Sequence, residues 1–124
     1  MSENIQQFEK CKAEILLFLH SKFPVKQDLM LEDFDEYNKD EQSSDMFFGT
    51  IDFLKESGDI SVSKQVYGGF LSTRLADKTY RAMNSAPENE PDGKPLYERM
   101  GEALTAKAYD VLAAIITAVL TKNI

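Results

Sequence analysis

Apolar residues recur at helical spacing near both ends of the chain and in its middle, and a short alternating stretch lies between them. Residues 5–22 set Ile5, Phe8, Cys11, Ile15, Leu16 and Leu19 on one broad face, with Glu9, Lys10, Lys12 and Glu14 opposite, which predicts an amphipathic helix. Pro24 stops that helix, and residues 25–27 read as a short extended piece. A second, shorter helix is predicted over residues 31–37, burying Leu31, Phe34 and Tyr37, and the polar run 38–44 is a loop. Ser44 is the expected cap of a helix over 44–57, because its hydroxyl can accept a bond from an unpaired first-turn amide. Phe47, Ile51 and Leu54 follow on its inner face, flanked by Phe48, and Gly58 is placed to close it in a left-handed conformation.

Ile60 and Val62 alternate with Ser61 and Ser63, as in a half-buried strand. After Val66 and Tyr67, Gly68 and Gly69 are both expected at positive φ in a tight hairpin turn. The returning strand, residues 70–75, sets Leu71, Thr73 and Leu75 on one face, and a short helix runs on through Tyr80 and Met83. Residues 85–95 hold three of the four prolines and almost nothing apolar, the composition of a linker. Beyond it, one long helix is predicted from Leu96 to Thr121, with Pro95 suited to its first turn.

Helix, extended piece, helix, helix, hairpin and helix in that order predict an α+β, mostly helical chain: a winged-helix domain over 1–84, a Pro-rich linker over 85–95, and a carboxyl-terminal apolar helix over 96–124. The run TIDFLKESGDI at 50–60, then Gly69 with Phe70, then Leu75 with Lys78, resembles a group of small, uncharacterised bacterial winged-helix proteins. Those proteins also end in a Pro/Gly-containing break and a Leu/Ala/Val/Ile-rich helix. Ala76 stands where they usually have Thr and Thr79 where Gly is common, departures that bear on the cap of the helix after the hairpin. The resemblance implies a fold and supplies no functional residue.

Charge changes the picture more than composition does. The net charge of −7 is concentrated: residues 28–59 carry eleven acids against Lys39 and Lys55, whereas residues 60–84 carry Lys64, Arg74, Lys78 and Arg81 against Asp77 alone. The middle third repels phosphate, and the hairpin region alone could attract it. At 124 residues the chain is long enough for one domain with a real core. Its single cysteine, Cys11, leaves no internal disulfide and no multi-cysteine zinc site. The amino terminus lacks the basic start and apolar run of a secretion signal. The longest apolar stretch, ten residues ending at Leu120, falls short of the roughly 20 that a membrane-spanning helix needs. No membrane association is expected, and a cytoplasmic location is.

The helix over 44–57 stands where a winged-helix protein carries its recognition helix, yet its outward residues are Asp45, Gly49, Asp52, Lys55 and Glu56. Major-groove readers present Arg, Lys, Asn or Gln, and three acids with one lysine suit neither base edges nor phosphates. Lys64, Arg74, Lys78 and Arg81, interleaved with Tyr67 and Phe70, are the candidate DNA contacts of a wing, or else ordinary strand-face charges. The acidic run 32–41 fails as a calcium loop starting at Asp33, since Tyr37, Asn38 and Ser44 fall where an acid, the turn glycine and the closing glutamate belong. His20, the one histidine, suits a helix carboxyl terminus. No catalytic set can be assembled, so no enzyme activity, cofactor or metal is expected.

The terminal helix carries the strongest functional hint. Leu104, Ala108, Val111, Ile115 and Ala118 form one stripe and Tyr109, Leu112, Ile116 and Val119 a second beside it, leaving hardly any polar face after Val111. A helix apolar all round must be buried on more than one side. The expectation is a homodimer through Leu104, Ala108, Val111, Leu112, Ile115, Ile116 and Val119. The expected function is a non-enzymatic interaction module that binds protein through its acidic surface, with a dimeric DNA-binding regulator as the alternative.

Overall fold

A computed structural model describes residues 2–87 and 92–121. Among them are five α-helices, α1 (Glu3–Lys22), α2 (Glu41–Glu56), α3 (Asp77–Asn84), α4 (Leu96–Thr105) and α5 (Tyr109–Thr121), and four short strands, β1 (Gln27–Met30), β2 (Ile60–Ser61), β3 (Lys64–Val66) and β4 (Gly69–Leu75). The fold is α+β and mostly helical, with one small antiparallel sheet. β4 is its hub: β1 pairs along one edge, while β3 and then β2 pair along the other.

α1 runs through the middle of the molecule and touches α2, α4, α5 and β4. That position explains why Glu9 and Lys12, placed on the water side by periodicity, are buried: a helix packed on several sides has little water side left. They form an ion pair at 3.0 Å. Ile5, expected inside, is 49% exposed, because the first turns of α1 project beyond the elements that cover the rest of it.

Residues 31–37 are not a helix. A single 3-10 turn, Leu31–Asp33, is followed by two further turns in which Tyr37 N–H bonds to Phe34 O and Asn38 N–H to Asp35 O. Met30 supplies no capping side chain, and Asp33 and Asp35 favour turns over helix interiors. Tyr37 is buried as expected. α2 starts earlier than Ser44: Asp40 is its cap, its carboxylate accepting Ser43 N–H at 2.8 Å while Ser43 Oγ accepts Asp40 N–H at 3.2 Å. Phe47, Ile51 and Leu54 fill the core as the spacing requires.

In the hairpin the two glycines play different parts. Gly68, at φ +86°, follows Tyr67 in the two-residue turn, the positive φ that a type II turn requires at that place. Gly69 is already in β4, paired with Met30 and Val66, and a Cβ there would come within 2.6 Å of Leu29 O. β4 also carries a bulge. Between the pairs Gln27–Thr73 and Leu29–Phe70 it spends one more residue than β1, with Ser72 at φ +51° and its N–H held by Asp28 Oδ1 at 2.9 Å. The extra residue shifts the inward face, so Phe70 fills the core where Leu71 was expected, while Thr73 and Leu75 stay inside.

The predicted long terminal helix is two helices. α4 ends at Thr105, Lys107 takes φ +56°, and α5 restarts at Tyr109. Pro95 caps α4 rather than entering its first turn. Leu96 N–H bonds to Ser85 O at 2.8 Å, so the two ends of the Pro-rich segment meet; residues 88–91 within it, and 122–124, lie outside the described residues. α4 and α5 are no appendage to the earlier elements: Met100, Leu112, Ile116 and Val119 belong to the same buried cluster as Leu16, Leu54 and Phe70.

Candidate functional site

Four of the seven residues expected at a dimer interface are inside the subunit. Leu112, Ile115, Ile116 and Val119 are buried against α1 and α3, the two helices that α5 packs on beside α4. Each buried aliphatic side chain of this size contributes roughly 1.5–3 kcal/mol, so offering all four to a second copy would cost about as much as a whole domain's stability. The interface expectation is corrected for them. Leu104 and Ala108 are half-buried, and Val111, at 54%, is exposed. The outer face left on α5 is Val111, Ala114, Thr117 and Ala118.

The basic residues are largely engaged within the chain. Lys78 lies 3.9 Å from the Asp59 carboxylate, Arg81 pairs with Asp77 at 2.8 Å, and Arg74 Nη1 donates to Pro24 O at 3.4 Å. They sit on α3 and β4, while Lys64 stands exposed on β3. At the hairpin tip Tyr67 is fully exposed.

An open groove with a volume of about 810 Å³ lies between the first turns of α1 and the outer face of α2. Asn4, Ile5 and Phe8 form the α1 wall, and Met46, Gly49 and Thr50 form the floor and opposite wall. Its charged lining is Asp40, Glu41 and Asp45, with no cation. A smaller hollow beside it shares Asn4, Asp40, Gln42 and Met46, and adds Glu3, Glu36 and Lys39. Lys10 pairs with Glu36 there. The Ser43 N–H bond holds the Asp40 carboxyl below the usual carboxylate range.

Phe8, which lines the groove, also belongs to an aromatic corner. Phe8 and Phe53 meet edge to face with centroids 5.2 Å apart, and Phe53 is 44% exposed. The Lys12 ammonium lies 4.1 Å from the Phe8 centroid and 5.7 Å from that of Phe53, held from the other side by Glu9. This buried cation braces both rings from within. Glu9 Oε2 is buried and makes no hydrogen bond.

Chemistry-bearing groups elsewhere are fixed by structure. Burial pushes the Cys11 thiol up to about 11, and the neighbouring Tyr37 hydroxyl, which donates to Glu14, is raised by burial as well. A protonated, buried thiol is a poor nucleophile. His20 stacks on Tyr97 at 4.3 Å and shares a 2.8 Å hydrogen bond with Asn84, tying the end of α1 to α3 and α4. Among the described residues, no three His, Cys, Asp or Glu side chains are grouped to hold a metal ion, and no helix is long and apolar enough to cross a membrane.

No protein-family model, curated protein or solved structure matches the chain. Helical spacing places Asp45 and Gly49 outward on α2. The groove is hidden from that spacing, because Ile5 and Phe8 fall on the apolar face of α1 that periodicity turns toward the core. The signal that could have found it is Gly49 itself, an exposed glycine inside an otherwise well-formed helix.

Proposed function

We propose that the protein is a non-enzymatic interaction module of winged-helix type that binds protein, not nucleic acid, through the acidic surface of α1 and α2. The order α1, β1, α2, hairpin, α3, with β4 between β1 and the β2–β3 edge, supports the winged-helix reading. A 3-10 turn takes the place of a helix ahead of α2. The observation that carries the functional part is electrostatic. The outer face of α2 presents Asp45, Asp52 and Glu56 against Lys55, while three of the four nearby cations are held by Asp59, Asp77 and Pro24 O. DNA binding draws most of its affinity from neutralising phosphates, and this face adds repulsion instead. Association of two copies belongs to the same reading, through the three expected residues left outside the buried core, Leu104, Ala108 and Val111.

The second reading, a dimeric DNA-binding regulator, is favoured by one observation: Lys64 and Tyr67 stand free on the hairpin, where a wing would meet a backbone. Titrating a labelled mixed-sequence duplex at low salt separates the two. The interaction module gives no measurable binding. The regulator gives binding that Arg74→Ala and Lys78→Ala weaken and that salt abolishes.

A further inference from the structure

We infer that the groove between α1 and α2 is a docking site for one amphipathic helix, with an apolar stripe flanked by Lys or Arg, supplied by a partner protein. The inference rests on the protein-binding reading above and names the kind of segment that is bound.

Three observations carry it. The first is the mismatch between the groove's floor and its rim. Ile5, Phe8, Met46 and the neighbouring Phe53 offer apolar surface that the chain leaves partly uncovered, and the rim around it is Asp40, Glu41 and Asp45 with no cation. An apolar stripe with basic flanks complements both parts. A second copy of this chain, with a net charge of −7, would bring like charge to that rim.

The second is Gly49. Glycine inside a helix is disfavoured against alanine, and a Cβ built here would meet nothing within 4 Å. No packing inside the molecule explains its smallness. The space it leaves opens onto the groove floor, midway along α2, where a missing side chain lets another backbone approach closely.

The third decides the conformation of the occupant. Both walls are helices, and beyond their capped first turns the backbone N–H and C=O groups are paired within each helix, so the groove offers no strand edge to which an extended peptide could add. An extended peptide would leave its own backbone unpaired against this apolar floor, whereas a helix arrives with its backbone satisfied. The groove runs along α2 from Glu41 to Thr50, about 13 Å at the helical rise, enough for anchors at i, i+3 or i+4, and i+7.

The test uses the full chain, isotopically labelled, and a fluorescent Lys/Leu helix of about 18 residues with its leucines on one face. A Glu/Leu helix of the same design is the control. The Lys/Leu helix is expected to bind saturably and shift amide resonances of residues 4–8 and 41–53, while the Glu/Leu helix does not bind. Gly49→Gln, which fills the floor and favours the helix, should raise the unfolding midpoint yet weaken binding by about tenfold or more. Asp45→Asn should weaken binding and flatten its salt dependence. No binding, equal binding of the two helices, shifts centred on the hairpin or α5, or Gly49→Gln binding as the parent does would each overturn the inference. So would a dimer in solution whose interface is this groove. If the helix fails and duplex DNA is also not bound, the protein-binding reading survives without this site; if duplex DNA binds, that reading itself falls.

Discussion

Gly58 and Lys107 occupy the same position in two copies of one helix-ending motif. After α2, Gly58 N–H bonds to Lys55 O and Asp59 N–H to Leu54 O, both at 3.0 Å, with Gly58 at φ +79°. After α4, Lys107 N–H bonds to Leu104 O at 3.1 Å and Ala108 N–H to Ala103 O at 3.0 Å, with Lys107 at φ +56°. The paired bonds satisfy carbonyls that the helix end leaves open, and they require a left-handed residue at that place. Lysine adopts it against the clash of its Cβ. Lys107→Gly is therefore expected to stabilise the protein by about 0.5–1 kcal/mol, measured as a raised urea midpoint at unchanged slope.

The two faces of α5 call for opposite outcomes from one kind of substitution. Ile115→Asp places a carboxylate among buried apolar groups and should unfold the chain or cost more than about 4 kcal/mol, whatever its oligomeric state. Val111→Asp falls on an exposed position and should leave the melting temperature close to the parent's. If Leu104, Ala108 and Val111 join two copies, Val111→Asp alone yields a folded monomer by sedimentation. A dimer that survives Val111→Asp rules out an interface at these residues.

Asp59 gives the fold a pH dependence of definite sign. Burial raises its carboxyl above the ordinary value of 3.8, with Lys78 and Lys12 only partly offsetting the effect. The folded chain thus holds this proton more tightly than the unfolded one, so stability falls as pH rises out of the ordinary carboxylate range and the buried charge forms. Asp59→Asn is expected to be more stable than the parent at pH 7, with the advantage shrinking as pH is lowered toward 3.8. Thermal melts of both proteins across that range check it, and an advantage that grows on acidification would refute it.

Local signals were the legible ones. Phe47, Ile51 and Leu54 lie one helical turn apart, and Gly58 is the residue that a left-handed helix end prefers, so α2 and its carboxyl terminus could be read directly. The break after α4 uses the same bonds with Lys107, which gives no such signal, and one continuous helix was the natural reading. Gly68 and Gly69 marked the hairpin, but the bulge at Ser72 depends on Asp28 more than 40 residues away and reversed which of Phe70 and Leu71 points inward. The groove was half legible: the acids and Gly49 are local to α2, whereas Ile5 and Phe8 reach it only through the packing of α1 across α2. A period of 3.6 shows that a face is apolar, and not what covers it.

Whether negative charge on α2 keeps this surface off nucleic acid is tested most directly by titrating one labelled mixed-sequence duplex, at low salt, with the parent and with the combined Asp45→Lys, Asp52→Lys and Glu56→Lys variant. The account expects a silent parent and a variant that binds with a steep salt dependence, because three repelling charges become three that can neutralise phosphates. Binding by the parent, or a variant as silent as the parent, would contradict it.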